Sequence, residues 1–194
     1  MRRKTIEACF ARRIVPVIWE PRSHRSALTH ASAVILQRGK VADLPRILDA
    51  LDAQPFDQLA LFVHIDLLEG LENNEAGLAY LASFKQLTGI VTSHPHLADP
   101  ARQLGMLSIL RLFLMDSRSV DRALAVVARS RPDAIEIMPA VAAPKVAKDF
   151  QRCRLPRIAG GLCRTEADIR ESLESGCQAV TSSYPPLWRL NAAS

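Results

Sequence analysis

Short apolar runs rich in β-branched residues alternate with polar loops and helical stretches along the whole chain. Eight of these runs have the length and composition of buried strands. The predicted strands are residues 14–19, 33–36, 59–66, 89–92, 107–114, 134–138, 157–159 and 179–181. Between them, apolar residues recur at helical spacing, most clearly over residues 44–51, 75–87, 119–129 and 166–175.

Strands that alternate with helices predict a parallel sheet, and eight such strands favour a closed barrel. We therefore predict an α/β fold, a compact TIM-like (β/α)8 barrel that forms one domain over residues 1–194. The repeating units are short for this fold, so some helices must be short, as at residues 20–28 and in the tail after Tyr184. A doubly wound open sheet is the structural alternative.

Polar side chains interrupt the apolar run at residues 61–66. Strand alternation puts Phe62, His64 and Asp66 on one side of this strand. In a barrel that side faces inwards, and Asp66 lies at the carboxyl-end rim, where the sites of such barrels lie. His64 is either a hydrogen-bonded core histidine or a functional residue beside Asp66, and the sequence leaves both open.

Two opposite charges occupy neighbouring apolar strands. Arg111 stands in the middle of a strongly apolar run, and Glu136 stands between two isoleucines on the next strand. A buried arginine without a partner is costly, so Arg111 needs a carboxylate or an anionic ligand. The pair either only fills the barrel interior or also lines a ligand site.

The C-terminal part of the chain has the pattern of an anion site. A short strand runs into Gly160 and Gly161, a helix begins after Thr165, and a second strand runs into Thr181 and Ser182. Glycines let backbone amides approach an anion, and a helix N-terminus adds the positive end of its dipole. Because loops after the last two strands of a (β/α)8 barrel commonly bind phosphate, we predict a small phosphorylated ligand here.

Other chemistry-bearing residues are less specific. Lys145, in the loop after the sixth strand, is a Schiff-base lysine, a phosphate ligand or a solvent-exposed residue. His94 and His96 flank a proline without a nearby carboxylate, so we expect no metal, and no cofactor besides the small ligand. The four cysteines form no CxxC pair and are predicted to be reduced thiols.

The net charge of +5 is unevenly spread. Residues 1–40 hold nine Arg and Lys against two Glu, whereas the rest of the chain holds sixteen basic and eighteen acidic groups. A basic segment suits a polyanion such as nucleic acid, although on charge alone a solvated surface is the preferred interpretation. No apolar run approaches the roughly 18–20 residues of a membrane span, and no signal-peptide pattern is present. We expect a cytoplasmic protein without membrane contact.

Six stretches together resemble the glycerol-3-phosphate-responsive antiterminator family, the regulators of bacterial glycerol uptake operons. The stretches are FVHIDLLEG at 62–70, GIVTS at 89–93, RLFLMDS at 111–117, PDAIEIMP at 132–139, AGGLCRTE at 159–166 and AVTSS at 179–183. Their order and spacing make the resemblance specific from about Phe62 onwards. The first third of the chain departs from the family pattern, at PVIWEP (16–21) and LQRG (36–39).

The resemblance implies a barrel-like fold, a glycerol 3-phosphate ligand in the barrel mouth, and binding to the leader RNA of a transcript whose terminator is overridden. It implies these ligand positions: Gly160, Gly161, Thr181 and Ser182, with Asp66, Arg111 and Glu136 as lining. For RNA phosphates, the candidates are Arg12, Arg13, Arg152 and Arg154, with Arg2, Arg3, Lys4, Lys145, Lys148 and Arg157 nearby in sequence.

Two functions from different classes fit these features. The first is a homo-oligomeric, ligand-sensing regulator without catalytic residues, whose basic surface contacts RNA. The second is a small barrel enzyme of isomerase or aldolase type that acts on a phosphorylated small molecule. In the enzyme, Asp66, Glu136 or Lys145 would be the acid, base or Schiff-base residue. We favour the regulator.

Overall fold

Eight parallel strands close into a barrel in the computed structural model, which describes residues 4–19, 25–52, 55, 56 and 58–193. The strands are Ile14–Ile18 (β1), Ala33–Leu36 (β2), Ala60–His64 (β3), Leu87–Thr92 (β4), Leu107–Phe113 (β5), Ala134–Met138 (β6), Arg157–Gly160 (β7) and Ala179–Ser182 (β8). Each pairs with its neighbour in sequence, and β8 pairs with β1. The predicted barrel is therefore confirmed, and the open-sheet alternative is wrong.

Helices follow the strands on the outside of the barrel. They are Ile6–Cys9 (α1), Arg25–Leu28 (α2), Leu44–Asp52 (α3), Glu75–Ala82 (α4), Ala98–Gln103 (α5), Ser117–Ser130 (α6), Ala143–Val146 (α7), Glu166–Glu174 (α8) and Pro185–Trp188 (α9). Several are a single turn, as the short repeating units predict. A two-residue parallel pair, Gly39–Lys40 with Leu68–Glu69, forms a separate small sheet in the segments that follow β2 and β3. No helix in the described part of the chain is long and apolar enough to cross a membrane.

Two differences between the predicted and observed boundaries affect the barrel rim and its strand pairing. The helix predicted over residues 75–87 ends at Ala82, because Leu87 already pairs with Leu61 in the barrel. The strand predicted to run to Asp66 ends at His64, and Ile65–Leu67 forms a 3-10 turn. The turn, rather than strand alternation, therefore sets the direction of the Asp66 side chain.

The barrel interior is apolar at the amino ends of the strands. Phe62 belongs to this inner cluster, whereas its neighbours Leu61 and Val63 pack in the outer cluster beneath the helices, as the alternation predicts. Ile6 and Cys9 of α1 and the following Phe10 join the inner cluster, so α1 closes this end of the barrel. Polar residues enter the interior only higher up, towards the carboxyl ends.

Candidate functional site

A cavity of about 110 Å³ opens at the carboxyl ends of the strands. We call it the mouth pocket. Its lining residues come from β1, β5, β6 and β8 and from the segments that follow β2, β7 and β8: Val17, Gln37, Arg111, Glu136, Met138, Gly161, Leu162, Cys163, Thr181, Ser182 and Ser183. Most ligand pockets are larger, at about 300–1,000 Å³, so this pocket suits a small compound.

A buried ion pair forms the floor of the mouth pocket. Strand register places Arg111 beside Glu136, and Arg111 Nε donates to Glu136 Oε2 at 2.7 Å. The other carboxylate oxygen accepts from Thr181 Oγ1 at 2.6 Å. The predicted pairing is confirmed. Because Arg111 uses only Nε here, its terminal nitrogens have no partner among the described residues and remain available to a ligand.

The two glycines of the β7 loop serve different purposes. A Cβ on Gly160 would lie 2.2 Å from Thr181 Oγ1 and 2.4 Å from Glu136 Oε1, so glycine is needed to admit the Thr181–Glu136 contact. Gly161 has φ 74°, in the left-handed region that favours glycine. Leu162 continues this conformation at φ 61°. Two consecutive residues with positive φ turn the chain sharply after β7, at the wall of the mouth pocket.

Unpaired backbone N–H groups surround the pocket. Among the described residues, the N–H groups of Leu162, Cys163 and Ser183 have no hydrogen-bond partner. The expected contribution from the N-terminus of α8 is different, because no residue of α8 lines the mouth pocket. Thr165 and Asp168 form a capping box at the start of this helix, and the N–H groups of Arg164 and Thr165, just before it, donate to the Asp168 carboxylate at 2.8 Å. The unpaired donors at the pocket therefore come from the loops.

The hydroxyls of the β8 end hold the site together. Thr181 donates to Glu136, as described, and Ser182 Oγ donates to the Cys163 carbonyl at 3.3 Å while accepting from Tyr184 N–H at 3.1 Å. Trp188 Nε1 donates to the Ser182 carbonyl at 2.8 Å. Ser182 therefore links the β7 and β8 loops.

Asp66 lies at the rim but is not part of the pocket lining. Its carboxylate accepts from Thr92 Oγ1 at 2.5 Å and from Ser93 N–H and Oγ at 2.7 and 2.6 Å. Burial alone would raise the pKa of Asp66, but these hydrogen bonds outweigh burial and lower it below its usual value. Asp66 thus ties the β3 turn to β4, and its role in ligand binding stays a prediction.

His64 is buried beneath the rim, 3% exposed, and its Nδ1 has no hydrogen-bond partner. Burial, reinforced by the positive charge of Arg111, lowers the pKa of His64 to about 4. The ring is therefore neutral at physiological pH. His64 is therefore not a fully hydrogen-bonded core histidine, and a functional role beside Asp66 stays a prediction.

Lys145 lies away from the mouth pocket. It is exposed on α7 and lines a separate groove of about 360 Å³ between the β5–α6 turn and α7, together with Asp116, Asp121 and Asp149. Its role as a phosphate ligand stays a prediction, but the pocket does not contain it. The ring centroids of His94 and His96 lie 5.6 Å apart, with the ring planes tilted by 54°. No cluster of three or more potential metal ligands occurs among residues that the structure describes.

Sequence reasoning missed several lining residues. Gln37 and Met138 reach the pocket from the ends of β2 and β6, and Ser183 contributes a free N–H. Cys163 also lines it, and burial raises the pKa of this thiol to about 12. A polar residue just after a predicted strand was the available signal for Gln37, because strand ends converge at the mouth.

All four RNA candidates lie at the opposite, amino end of the barrel. Arg12 and Arg13 directly precede β1, and Arg152 and Arg154 precede β7. Arg12 is half-buried, and the other three are exposed. Arg2 and Arg3 lie outside the described residues, and Lys4 Nζ donates to the Gln58 carbonyl.

A groove of about 890 Å³ lies beside α6 at this end, and we call it the basic groove. Its cationic lining residues are Arg102, Arg131, Lys148 and Arg152, against one acidic residue, Asp149. Arg102 is ion-paired with Asp99. The sequence did not single out Arg102 or Arg131, because the folded chain brings them to Arg152 from distant positions.

The fold and the site together define a class: a small (β/α)8 barrel with a donor-rich pocket at the carboxyl ends of its strands. The family model for glycerol-3-phosphate responsive antiterminators matches residues 14–188. The chain belongs to this family, and the resemblance in its sequence is confirmed.

Individual relatives agree with this assignment. The uncharacterised protein YgcP of Escherichia coli (strain K12) is 35% identical over 129 residues, which are 66% of this chain and 68% of YgcP. The glycerol uptake operon antiterminator regulatory protein of Listeria monocytogenes has a similar crystal structure, with TM-score 0.83, 27% identity and coverage of 92% of this chain and 96% of that one. An antiterminator-related protein of Thermotoga maritima has TM-score 0.79 and 27% identity over 92% and 98% of the two chains.

Proposed function

We propose that this chain senses glycerol 3-phosphate and, in response, binds the leader RNA of a glycerol-utilisation operon to override a transcription terminator. The family supports the ligand and the regulatory class. The observation that carries the proposal is the set of unpaired donors at the mouth pocket. The terminal nitrogens of Arg111 and the N–H groups of Leu162, Cys163 and Ser183 have no partners among the described residues.

Such donors match a phosphate group. Guanidinium groups and consecutive backbone N–H groups are the usual protein partners of phosphate oxygens. Glu136 already neutralises one face of Arg111, so the guanidinium is held in place before a ligand arrives. In this proposal Gly161 shapes the turn, whereas Gly160, Thr181 and Ser182 act by fixing the floor and the loops rather than by contacting phosphate directly.

The basic groove supports a contact with the RNA backbone. Three of its cations, Arg131, Lys148 and Arg152, have no ion-pair partner among the described residues. Arg154 is exposed next to it, and Arg13 is exposed at the same end of the barrel. Clustered cations on one face bind phosphates of RNA with little sequence preference. We propose that this end meets the transcript in the cytoplasm.

The enzyme alternative has less support from the site. Lys145, its Schiff-base candidate, lines another groove, and Glu136 is held by both Arg111 and Thr181. Cys163 is a protonated thiol because burial raises its pKa to about 12. An acid or base that is already paired on both oxygens is poorly placed to exchange protons with a substrate.

Calorimetric titration with glycerol 3-phosphate, inorganic phosphate and glycerol tests the ligand. We expect glycerol 3-phosphate to bind best, phosphate to bind more weakly and glycerol not to bind measurably. The phosphorus NMR spectrum of glycerol 3-phosphate incubated with the protein should stay unchanged. No binding of glycerol 3-phosphate would contradict the sensor, and conversion of it would favour the enzyme.

A further inference from the structure

A polar side chain stands on the β2 side of the mouth pocket, away from the proposed phosphate donors. Gln37 follows β2 and lines the pocket, and its N–H donates to the Ile18 carbonyl at 2.9 Å. This bond ties the end of β2 to the end of β1. The Gln37 backbone is thus fixed at the rim.

The orientation of the Gln37 amide is fixed by Trp19. Trp19 Nε1 and the Gln37 side chain lie 3.3 Å apart, and an indole N–H can only donate, so the atom facing it is the amide oxygen Oε1. The Nε2 amino group then keeps both of its hydrogens, with no partner among the described residues. Gln37 therefore offers the pocket donors rather than acceptors.

Trp19 is held from its other side as well. The Arg38 guanidinium lies 5.0 Å from the centroid of the indole ring, a cation–π distance. Trp19 is nevertheless 52% exposed. An exposed tryptophan fixed by a hydrogen bond and a cation is well suited to position a neighbour.

We propose that Gln37 is a specificity-determining residue that binds the hydroxyl end of a phosphorylated polyol, and that Trp19 is its positioning residue. This inference rests on the proposed function, in which the phosphate end meets Arg111 and the β7 and β8 loops. A neutral amide donor matches a hydroxyl oxygen and adds no charge to the pocket, so it favours a hydroxyl end over a second anionic group such as a carboxylate. The ligand class is therefore the phosphate monoester of a short polyol.

Two variants and two probes test the inference. Gln37→Leu removes the amide, and Trp19→Phe keeps an aromatic side chain but removes the N–H that orients Gln37. We expect Gln37→Leu to weaken glycerol 3-phosphate binding about tenfold and Trp19→Phe by a few fold, with inorganic phosphate affinity unchanged in both. Gln178→Leu, at an exposed glutamine at the amino end of β8, is the matched control and should change neither affinity.

The ratio of the affinities for glycerol 3-phosphate and inorganic phosphate tests the role of Gln37. A Gln37→Leu protein that retains the parent's preference for glycerol 3-phosphate over phosphate overturns the inference, and so does an equal loss of both affinities. A parent that prefers 3-phosphoglycerate to glycerol 3-phosphate overturns it too. If the parent binds phosphate but gains nothing from the glycerol moiety, this inference fails while the anion site stands. If it binds neither probe, the proposed function itself fails.

Discussion

The most consequential single residues are two opposite charges inside a largely apolar barrel. Arg111 and Glu136 are 7% and 0% exposed. Glu136 accepts from both Arg111 and Thr181, whereas the terminal nitrogens of Arg111 have no partner among the described residues. Neither charge could be buried alone without a large penalty in the free energy of unfolding. The pair therefore couples stability and ligand binding at one position.

Removing one partner of this pair should destabilise the protein strongly. Arg111→Met leaves Glu136 buried without its cation, and we expect the free energy of unfolding to fall by about 3–5 kcal/mol in urea denaturation. The double variant Arg111→Met, Glu136→Gln should recover part of that loss without recovering glycerol 3-phosphate binding. A double variant no more stable than the single one would argue against the coupling.

His64 should make stability depend on pH. Its pKa is about 4 in the folded protein, against about 6.5 in the unfolded chain, so unfolding takes up a proton between these values. The free energy of unfolding should therefore fall as pH is lowered from about 6.5 to 4, by at most about 3 kcal/mol from this residue.

Comparing the parent with His64→Leu isolates this contribution, since the remaining histidines are common to both. The variant should lose less stability between pH 7 and pH 4.5 when both are unfolded in urea. Asp66 does not affect this comparison. Its pKa is lowered from 3.8 in the folded protein, so its contribution to the free energy of unfolding is lost only below the pH range compared. Identical pH profiles would contradict the account of His64.

Among the elements, α6 ends on an arginine in a conformation that favours glycine. Arg131 caps the helix in the left-handed conformation, φ 50° and ψ 52°, where glycine is the usual residue. An arginine there costs stability and places a guanidinium on the basic groove.

Arg131→Gly should therefore stabilise the protein while weakening RNA binding. The left-handed conformation costs an L-residue about 1–2 kcal/mol, and the extra entropy lost by glycine offsets about 0.5–1 of this, so a gain of about 0.5–1 kcal/mol is expected in urea denaturation. Arg129→Gly, inside the same helix, is the control and should destabilise by about 1 kcal/mol. A lower free energy of unfolding for Arg131→Gly would contradict the backbone strain at Arg131.

Strand residues could be placed from the sequence, whereas loop residues could not. Period-two alternation placed Phe62 and the Arg111–Glu136 pair correctly, because every strand residue faces either the interior or the helices. Loop residues follow no such period. Gln37 and Lys145 could be placed only once the turns were known, since a turn of one residue more or less redirects a side chain. The helix after Thr165 was predicted, but not that Asp168 accepts from the N–H groups of Arg164 and Thr165 just before it.

The whole molecule has two chemically different ends. The mouth pocket with its unpaired donors lies at the carboxyl ends of the strands, and the basic groove lies at the amino ends. In the proposed function one end binds the metabolite and the other binds RNA. Mutations at one end should therefore leave intrinsic binding at the other intact.

Changing Arg152 and Arg154 to Ala tests this separation. Each lost phosphate contact lowers the dependence of log affinity on log salt by roughly 0.7 for single-stranded RNA, so the slope should flatten by about 1–1.5. Glycerol 3-phosphate affinity in calorimetry should not change. The control is the double alanine variant of Arg118 and Arg122, exposed residues on α6. Equal slopes in parent and variant would mean that these arginines only solvate the surface.

The predicted homo-oligomer remains a separate prediction, to be tested by the mass of the protein in solution.

The central claim is that metabolite and transcript binding are linked through this one barrel. The most direct measurement is the affinity of the protein for the leader RNA of a glycerol-utilisation operon, titrated with and without saturating glycerol 3-phosphate at one fixed salt concentration. We expect glycerol 3-phosphate to tighten RNA binding at least about fivefold, the lower end of typical allosteric coupling, and glycerol to have no effect. Equal RNA affinities with and without glycerol 3-phosphate, from a protein that binds both, would contradict the account.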